Sequence, residues 1–135
     1  MAARELMAKA ERAVASAELL LEAGDPDGAC NRAYYAMYDA ARAALLAADA
    51  PVEAEIVRTH SGLISSFSLH LVKPGHVPLE LGRALNRVEE IRLIADYKGD
   101  AVEREQAAWA VDQAAAFVKA MLAAFLPGAL DPGKK

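Results

Sequence analysis

Proline and glycine cut this chain into stretches that can satisfy themselves in only one way, as helices. From Ala3 to Ala23 the apolar positions Leu6, Ala10, Ala13, Ala17, Leu20 and Leu21 recur at three and four residues, the spacing of one helix face. Gly24 stops that run, and Asp25-Pro26 starts the next with a good N-cap followed by proline at the first helical position. A second helix reaches about Ala48. The segment DAPVEAE reads as a loop or short turn, because Pro51 cannot continue a helix and disfavours helical geometry at Ala50. A third helix begins near Thr59 and ends by Val72. Lys73-Pro74-Gly75 breaks the chain, and Pro78 opens a fourth helix running to about Tyr97. Lys98-Gly99-Asp100 closes that helix and offers Asp100 as the next cap. A fifth helix carries Val102, Trp109, Phe117, Met121 and Phe125 to about Leu126.

Composition points the same way. The chain is 55% hydrophobic and only 6% aromatic, with much of the apolar share in alanine, the residue that loses least side-chain entropy in a helix. No alternating strand pattern or Asn-Gly hairpin turn interrupts it. The expected fold is therefore all-α: an antiparallel up-and-down bundle of four long helices plus one shorter helix, because short links reverse the chain. It forms one domain over residues 1–126, followed by a Pro- and Gly-rich tail, 127–135, that frays.

Several function classes drop out. Cys30 is the single cysteine, so no internal disulfide can form. The charged N-terminal stretch does not read as a signal peptide, and no run nears the roughly 18 uninterrupted apolar residues of a span. The expected location is the cytoplasm, with no membrane contact. His60, His70 and His76 stand in no ligand pattern, so neither a metal nor a cofactor is expected. A net charge of −4 provides no overall basic footprint for nucleic acid, which would have to be held by a local patch or through a partner.

Three segments carry chemistry. In the second helix, three of the four tyrosines fall within Asn31-Arg32-Ala33-Tyr34-Tyr35-Ala36-Met37-Tyr38. Asn31, Tyr35 and Tyr38 share a face with Arg42, and Tyr34 lies beside Tyr38. Such a stripe either fills a core, with hydroxyls finding buried partners and Asn31 and Arg32 adding hydrogen bonds, or lines a binding site. Near the end of the fourth helix, Arg92 and Asp96 stand at i and i+4, the spacing of a surface or half-buried ion pair, with Tyr97 in the last turn. Finally, Arg58-Thr59-His60-Ser61-Gly62 places a histidine near a helix N-terminus. The dipole there favours the neutral imidazole, suited to a base, a hydrogen-bond acceptor or a structural role.

The runs NRAYYAMYDAARAAL, THSGLISSFSLHLVK and RLIADY, in this order over roughly residues 5–126, resemble the HEPN superfamily, the higher eukaryotes and prokaryotes nucleotide-binding domain. The closest likeness is to its small stand-alone prokaryotic branch. The resemblance implies a four- or five-helix bundle that works as a homodimer with a polar cleft between protomers. It also implies pairing with a minimal nucleotidyltransferase as the toxin half of a toxin–antitoxin system. Active members of the superfamily are metal-independent endoribonucleases marked by an arginine, a gap of four to six residues, then a histidine. This chain departs from that pattern. The window after Arg92 holds Tyr97, Lys98 and Gly99, and the window after Arg32 holds Met37, Tyr38 and Asp39.

Cleaving RNA requires a base for the 2′-hydroxyl and positive charge for the developing phosphorane. Tyrosine, with a reference pKa of about 10, is a poor base near neutrality. His60 is the remaining histidine that could act with Arg92. The candidate catalytic pair is thus Arg92 and His60, and the candidate ligand-binding set is Asn31, Arg32, Tyr35, Tyr38, Asp96 and Tyr97. Three functions stay open: a binding module for a nucleotide, an RNA segment or a partner nucleotidyltransferase; a divergent ribonuclease toxin; and a structural interaction protein.

Overall fold

The computed structural model describes residues 2–98 and 101–130. Its elements are α1 (Ala3–Glu22), α2 (Pro26–Ala47), α3 (Ala54–Val57), α4 (His60–Phe67), a π-helical turn (Ser68–Val72), α5 (Leu79–Lys98), α6 (Arg104–Phe125) and a 3-10 turn (Pro127–Leu130). Among the described residues there is no strand. The all-helical expectation holds.

Helix α2 is the axis of the bundle, packed on α1, α6, α5 and α4. A helix covered on that many sides must be apolar nearly all round. Ala29, Ala33, Ala36, Ala40, Ala41, Ala43 and Ala44 are all buried, and side chains this small let neighbouring helices approach closely. On α1 the matching stripe is Leu6, Met7, Ala10, Ala13 and Ala17. Bulk comes from α6, where Phe117 and Met121 are sealed in the core and the Phe117 ring lies 5.5 Å from that of Phe67 at the end of α4.

The start of α2 forms as its residues predict, with the Gly28 N–H donating to the Asp25 carboxylate at 2.9 Å and Pro26 in the first turn. Gly24 before it adopts the positive φ that side chains resist.

The stretch read as a loop or short turn runs into one helical turn, α3. Two other local features differ from the sequence reading. The third helix changes to π geometry after Phe67. Leu63, Phe67 and Leu71 are buried four residues apart, a spacing that drifts forward around an α-helix; the wider π turn offsets the drift and keeps Leu71 in the core. The cap of the last helix is Glu103, whose N–H donates to the Gln106 side chain at 3.1 Å; the expected cap, Asp100, lies outside the described residues. Just before this cap, the Val102 N–H donates to the Asp27 carboxylate at 2.7 Å, and Arg104 donates to the Leu21 carbonyl at 2.8 Å. Both bonds tie the start of α6 to the turn between α1 and α2. Among the described helices, α6 alone has the length and apolar content of a membrane span, and its buried stripe is packed on α2 and α1.

The tail opens with the 3-10 turn, and its last residues, 131–135, lie outside the described set.

Two predictions follow from this packing. A Cβ on Gly62 would fall inside contact distance of the Ile56 carbonyl and the Thr59 hydroxyl, so the corner between α3 and α4 closes only around glycine. Gly62→Ala should lower stability by about 1–3 kcal/mol in urea unfolding, as overpacking does, while Ser61→Ala on the exposed side should change it by under about 0.5 kcal/mol. The second concerns Asp39, buried on α2. Burial raises its pKa against the opposing pulls of Lys9, Arg42 and Arg32. The folded state then holds this proton more tightly than the unfolded one, so stability falls as pH rises from the ordinary carboxylate value through the raised one. Asp39→Asn should flatten that decline in thermal melts taken across the acid range and leave the protein more stable above it.

Candidate functional site

Where α2 passes the N-terminus of α4, four aromatic rings meet. The Tyr34 ring centroid lies 5.2 Å from that of Tyr35 and 6.0 Å from that of Tyr38. His60 completes the group, its ring 5.3, 5.8 and 5.2 Å from Tyr34, Tyr35 and Tyr38 respectively. Tyr34 and Tyr38 are one helical turn apart and Tyr35 flanks them, so the three project toward the same neighbours. His60 is delivered to them by its cap. The Thr59 hydroxyl accepts from the Gly62 N–H at 2.9 Å and donates to the Ile56 carbonyl at 3.0 Å, fixing the corner at which α4 begins. The Tyr38 hydroxyl pins that corner to α2, donating to the Val57 carbonyl at 3.0 Å and more weakly to that of Arg58 at 3.3 Å.

Arg92 approaches from α5. Its guanidinium carbon stands 4.7 Å from the Tyr34 ring centroid and 5.9 Å from that of Tyr35, within the range of cation–π attraction. One terminal nitrogen donates to Asp96 at 2.7 Å, and the other faces Glu89 at 3.4 Å. Only 8% of Arg92 is exposed, and its Nε has no partner among the described residues. A buried cation is tolerable only with this much compensation; removing one member of such a set leaves an uncompensated charge. The two carboxylates differ: the Glu89 side chain is 14% exposed, and that of Asp96 is 46% exposed. Asp96 therefore forms the wet edge of the cluster, together with the half-buried Tyr35 and His60.

The shortest contact in the group joins the Tyr34 hydroxyl to Nδ1 of His60 at 2.6 Å. Burial first, and then the neighbouring Glu89 carboxylate, push the Tyr34 pKa far up, outweighing the opposite pull of Arg92. The phenol therefore keeps its proton. A hydroxyl gives or takes a hydrogen bond, so the direction of this contact follows the imidazole tautomer: with the ring proton on Nε2 the phenol donates to Nδ1, and with it on Nδ1 the ring donates to the phenol oxygen. Nearby, Cys30 is buried, and its thiol pKa is raised to about 11, mainly by burial, so it is not a thiolate at neutral pH.

Of the residues singled out by sequence, His60, Arg92, Tyr35, Tyr38 and Asp96 come together here. Arg32 does not. It sits two positions before Tyr34, about 200° around the helix, and its charge acts on Asp39 instead. Asn31 is half-buried on α2 and takes no part in the hydrogen bonds of the cluster, where the tyrosine hydroxyls find His60 and the Val57 and Arg58 carbonyls. Tyr97 closes the last turn of α5, with its side chain outside the described residues. The Arg92–Asp96 pair forms as its spacing predicts. It is buried on the arginine side rather than superficial, because the tyrosine faces draw the guanidinium inward. Tyr34 and Glu89 are the members that sequence reasoning passed over. The sequence marks Tyr34 only as a neighbour of Tyr38, and the one local signal for Glu89 is its position three residues before Arg92.

Comparison with known proteins bears on the family. The family model described as HEPN domain matches residues 3–124. The UPF0332 protein glr0978 of Gloeobacter violaceus is 38% identical over 96 residues, covering 71% of this chain and 72% of its own. A UPF0332 protein of Thermotoga maritima is 37% identical over 98 residues, 73% of this chain and 70% of its own. A protein of Methanocaldococcus jannaschii that carries a provisional toxin name is 31% identical over 109 residues, 81% of this chain and 78% of its own. With the match running from the first turn of α1 to the last turn of α6, the chain belongs to the HEPN domain family.

Proposed function

We propose that this chain is the toxin-class, HEPN-type member of a toxin–antitoxin pair, and that its Arg92–Tyr34–His60 cluster binds RNA or a nucleotide rather than cutting it. The observation that carries the reading is the Tyr34-to-His60 hydrogen bond at 2.6 Å. On this reading Tyr34 is the donor, Nδ1 accepts, and Nε2–H is left to donate, a group that can hold a phosphate or base oxygen but cannot take the proton of a 2′-hydroxyl. Around it, Tyr35 offers a stacking face, and Arg92 offers positive charge once Asp96, at the exposed edge, turns aside. The relative with the provisional toxin name supports the toxin class. On this reading the protein acts as a homodimer with the cluster turned toward the shared cleft, beside a minimal nucleotidyltransferase partner.

A second reading, a divergent metal-independent ribonuclease, is favoured by one fact: Arg92 and His60 contact opposite ends of the same tyrosine, through its ring and its hydroxyl. Charge for the phosphorane and an imidazole are then within one cluster, and catalysis would require the Tyr34 bond to reverse.

One experiment separates these readings. A fluorescently labelled single-stranded RNA is titrated with the protein in EDTA, with anisotropy reporting binding and a denaturing gel reporting cleavage. The expected result is salt-sensitive binding of intact RNA, weakened about tenfold or more in His60→Ala, the loss of one charge-assisted contact. Cleavage that persists in EDTA and disappears in His60→Ala selects the ribonuclease. Undiminished binding by His60→Ala, with no cleavage by the parent protein, rejects both. Sedimentation of the purified protein at micromolar concentration should give the mass of two chains.

Tyr34→Phe provides a further check. It should cost about 1 kcal/mol of stability for the lost hydrogen bond. It should also change the histidine tautomer, read from the ring nitrogen shifts of His60 in NMR. Unchanged shifts would mean that the hydroxyl does not set the ring proton.

A further inference from the structure

Three residues that Tyr38 contacts, Arg42, Val57 and Arg58, line a second feature, which none of Tyr34, His60 and Arg92 lines. Where α2 ends and the chain turns through α3, a cavity of about 350 Å³ opens, walled by Leu45, Val52, Ala54 and Val57, with Arg42 and Arg58 among its lining residues. Its size lies at the lower end of small-molecule sites, about 300–1,000 Å³, and its make-up, mostly apolar with a few polar groups, is that of such sites.

The charges define what would fit. Arg42 is half-buried, its guanidinium carbon 5.9 Å from the Tyr38 ring centroid. Neither Arg42 nor Arg58 forms an ion pair among the described residues, whereas Arg92 and Arg87 do. Two guanidinium groups therefore stand beside an apolar hollow with their hydrogen-bonding capacity unspent on carboxylates. Asp49 lines the cavity as well and has two local costs. Its φ of 54° is the left-handed conformation that suits glycine, and its carboxylate sits at the C-terminal end of α2, where the helix dipole disfavours negative charge. Positions that break local rules without local gain concentrate at functional sites. With two cations and one anion, the lining is net positive, and Asp49 repels a second anionic group. The best occupant carries one anionic end and an apolar remainder.

We propose that this cavity binds a small amphiphilic anion, with a carboxylate or phosphate head on Arg42 and Arg58 and an apolar body against Leu45, Val52 and Val57. Guanidinium groups take either head through paired N–H donors. None of Tyr34, Tyr35, Tyr38, His60 and Arg92 lines the cavity, so the two sites can be probed independently.

The test titrates the full chain with 1-naphthoate, 1-naphthyl phosphate and uncharged 1-naphthol, following naphthalene fluorescence. Both anions should bind once per chain, at least about tenfold more tightly than naphthol, the ratio that one charge-assisted hydrogen bond supplies. The ratio between the two anions tells a phosphate-headed ligand from a carboxylate-headed one. Arg58→Glu, at an exposed position, should abolish the preference for anions while leaving naphthol binding in place. Ala54→Trp, which fills the cavity from exposed α3, should block all three probes in a protein whose circular dichroism remains helical. The proposal fails if naphthol binds as tightly as the anions, if anion binding survives Ala54→Trp in the folded protein, or if neither anion binds at about millimolar concentration, the weak limit for a specific small-molecule contact.

Discussion

A guanidinium withdrawn from water must find its compensation inside the fold, and Arg92 sets that condition for half of this molecule. It lies under two tyrosine faces and between two carboxylates of its own helix, and the tyrosine it covers reaches on to His60. One run of contacts thus joins α5 to α2 and α2 to α4. To the buried packing of Leu63, Phe67, Leu85, Val88 and Ile91 these helices add contacts of charge, ring and hydrogen bond. Such contacts require defined directions, whereas hydrophobic contacts mostly require volume.

The other half of the bundle works differently. Between α1, α2 and α6 the contact is made largely by alanine, with Phe117, Met121, Leu6 and Met7 filling the gaps. Close approach of backbones replaces large side chains there. Helix α2 faces both environments: its alanines lie toward α1 and α6, and its tyrosines toward α4 and α5. Division of one helix into a packing side and a polar-aromatic side lets a small bundle carry a site without opening its core.

Most of the fold could be read from local rules. Asp25-Pro26, Gly24 and the three-and-four spacing of α1 specify their elements through short-range chemistry, and the structure follows them. The π turn after Phe67 was not readable, because it answers to where Leu71 must point in three dimensions. The site was partly readable. Residue types and the Arg92–Asp96 spacing marked its members, yet nothing local indicates that His60, 26 residues from Tyr34, would meet that tyrosine rather than Tyr35. Arg32 shows the converse. Its place within the Asn31–Tyr38 run suggested membership, and helical rotation turns it away from Tyr34.

The bonds from Val102 to Asp27 and from Arg104 to Leu21 join positions 75 and 83 residues apart. On a ribosome, the α1–α2 hairpin would emerge long before the segment that seals it, with its alanine face still wet. Nascent chains of this design have a waiting period whose length is set by translation speed, and during it a chaperone or a second emerging copy meets the same surface that α6 will later occupy.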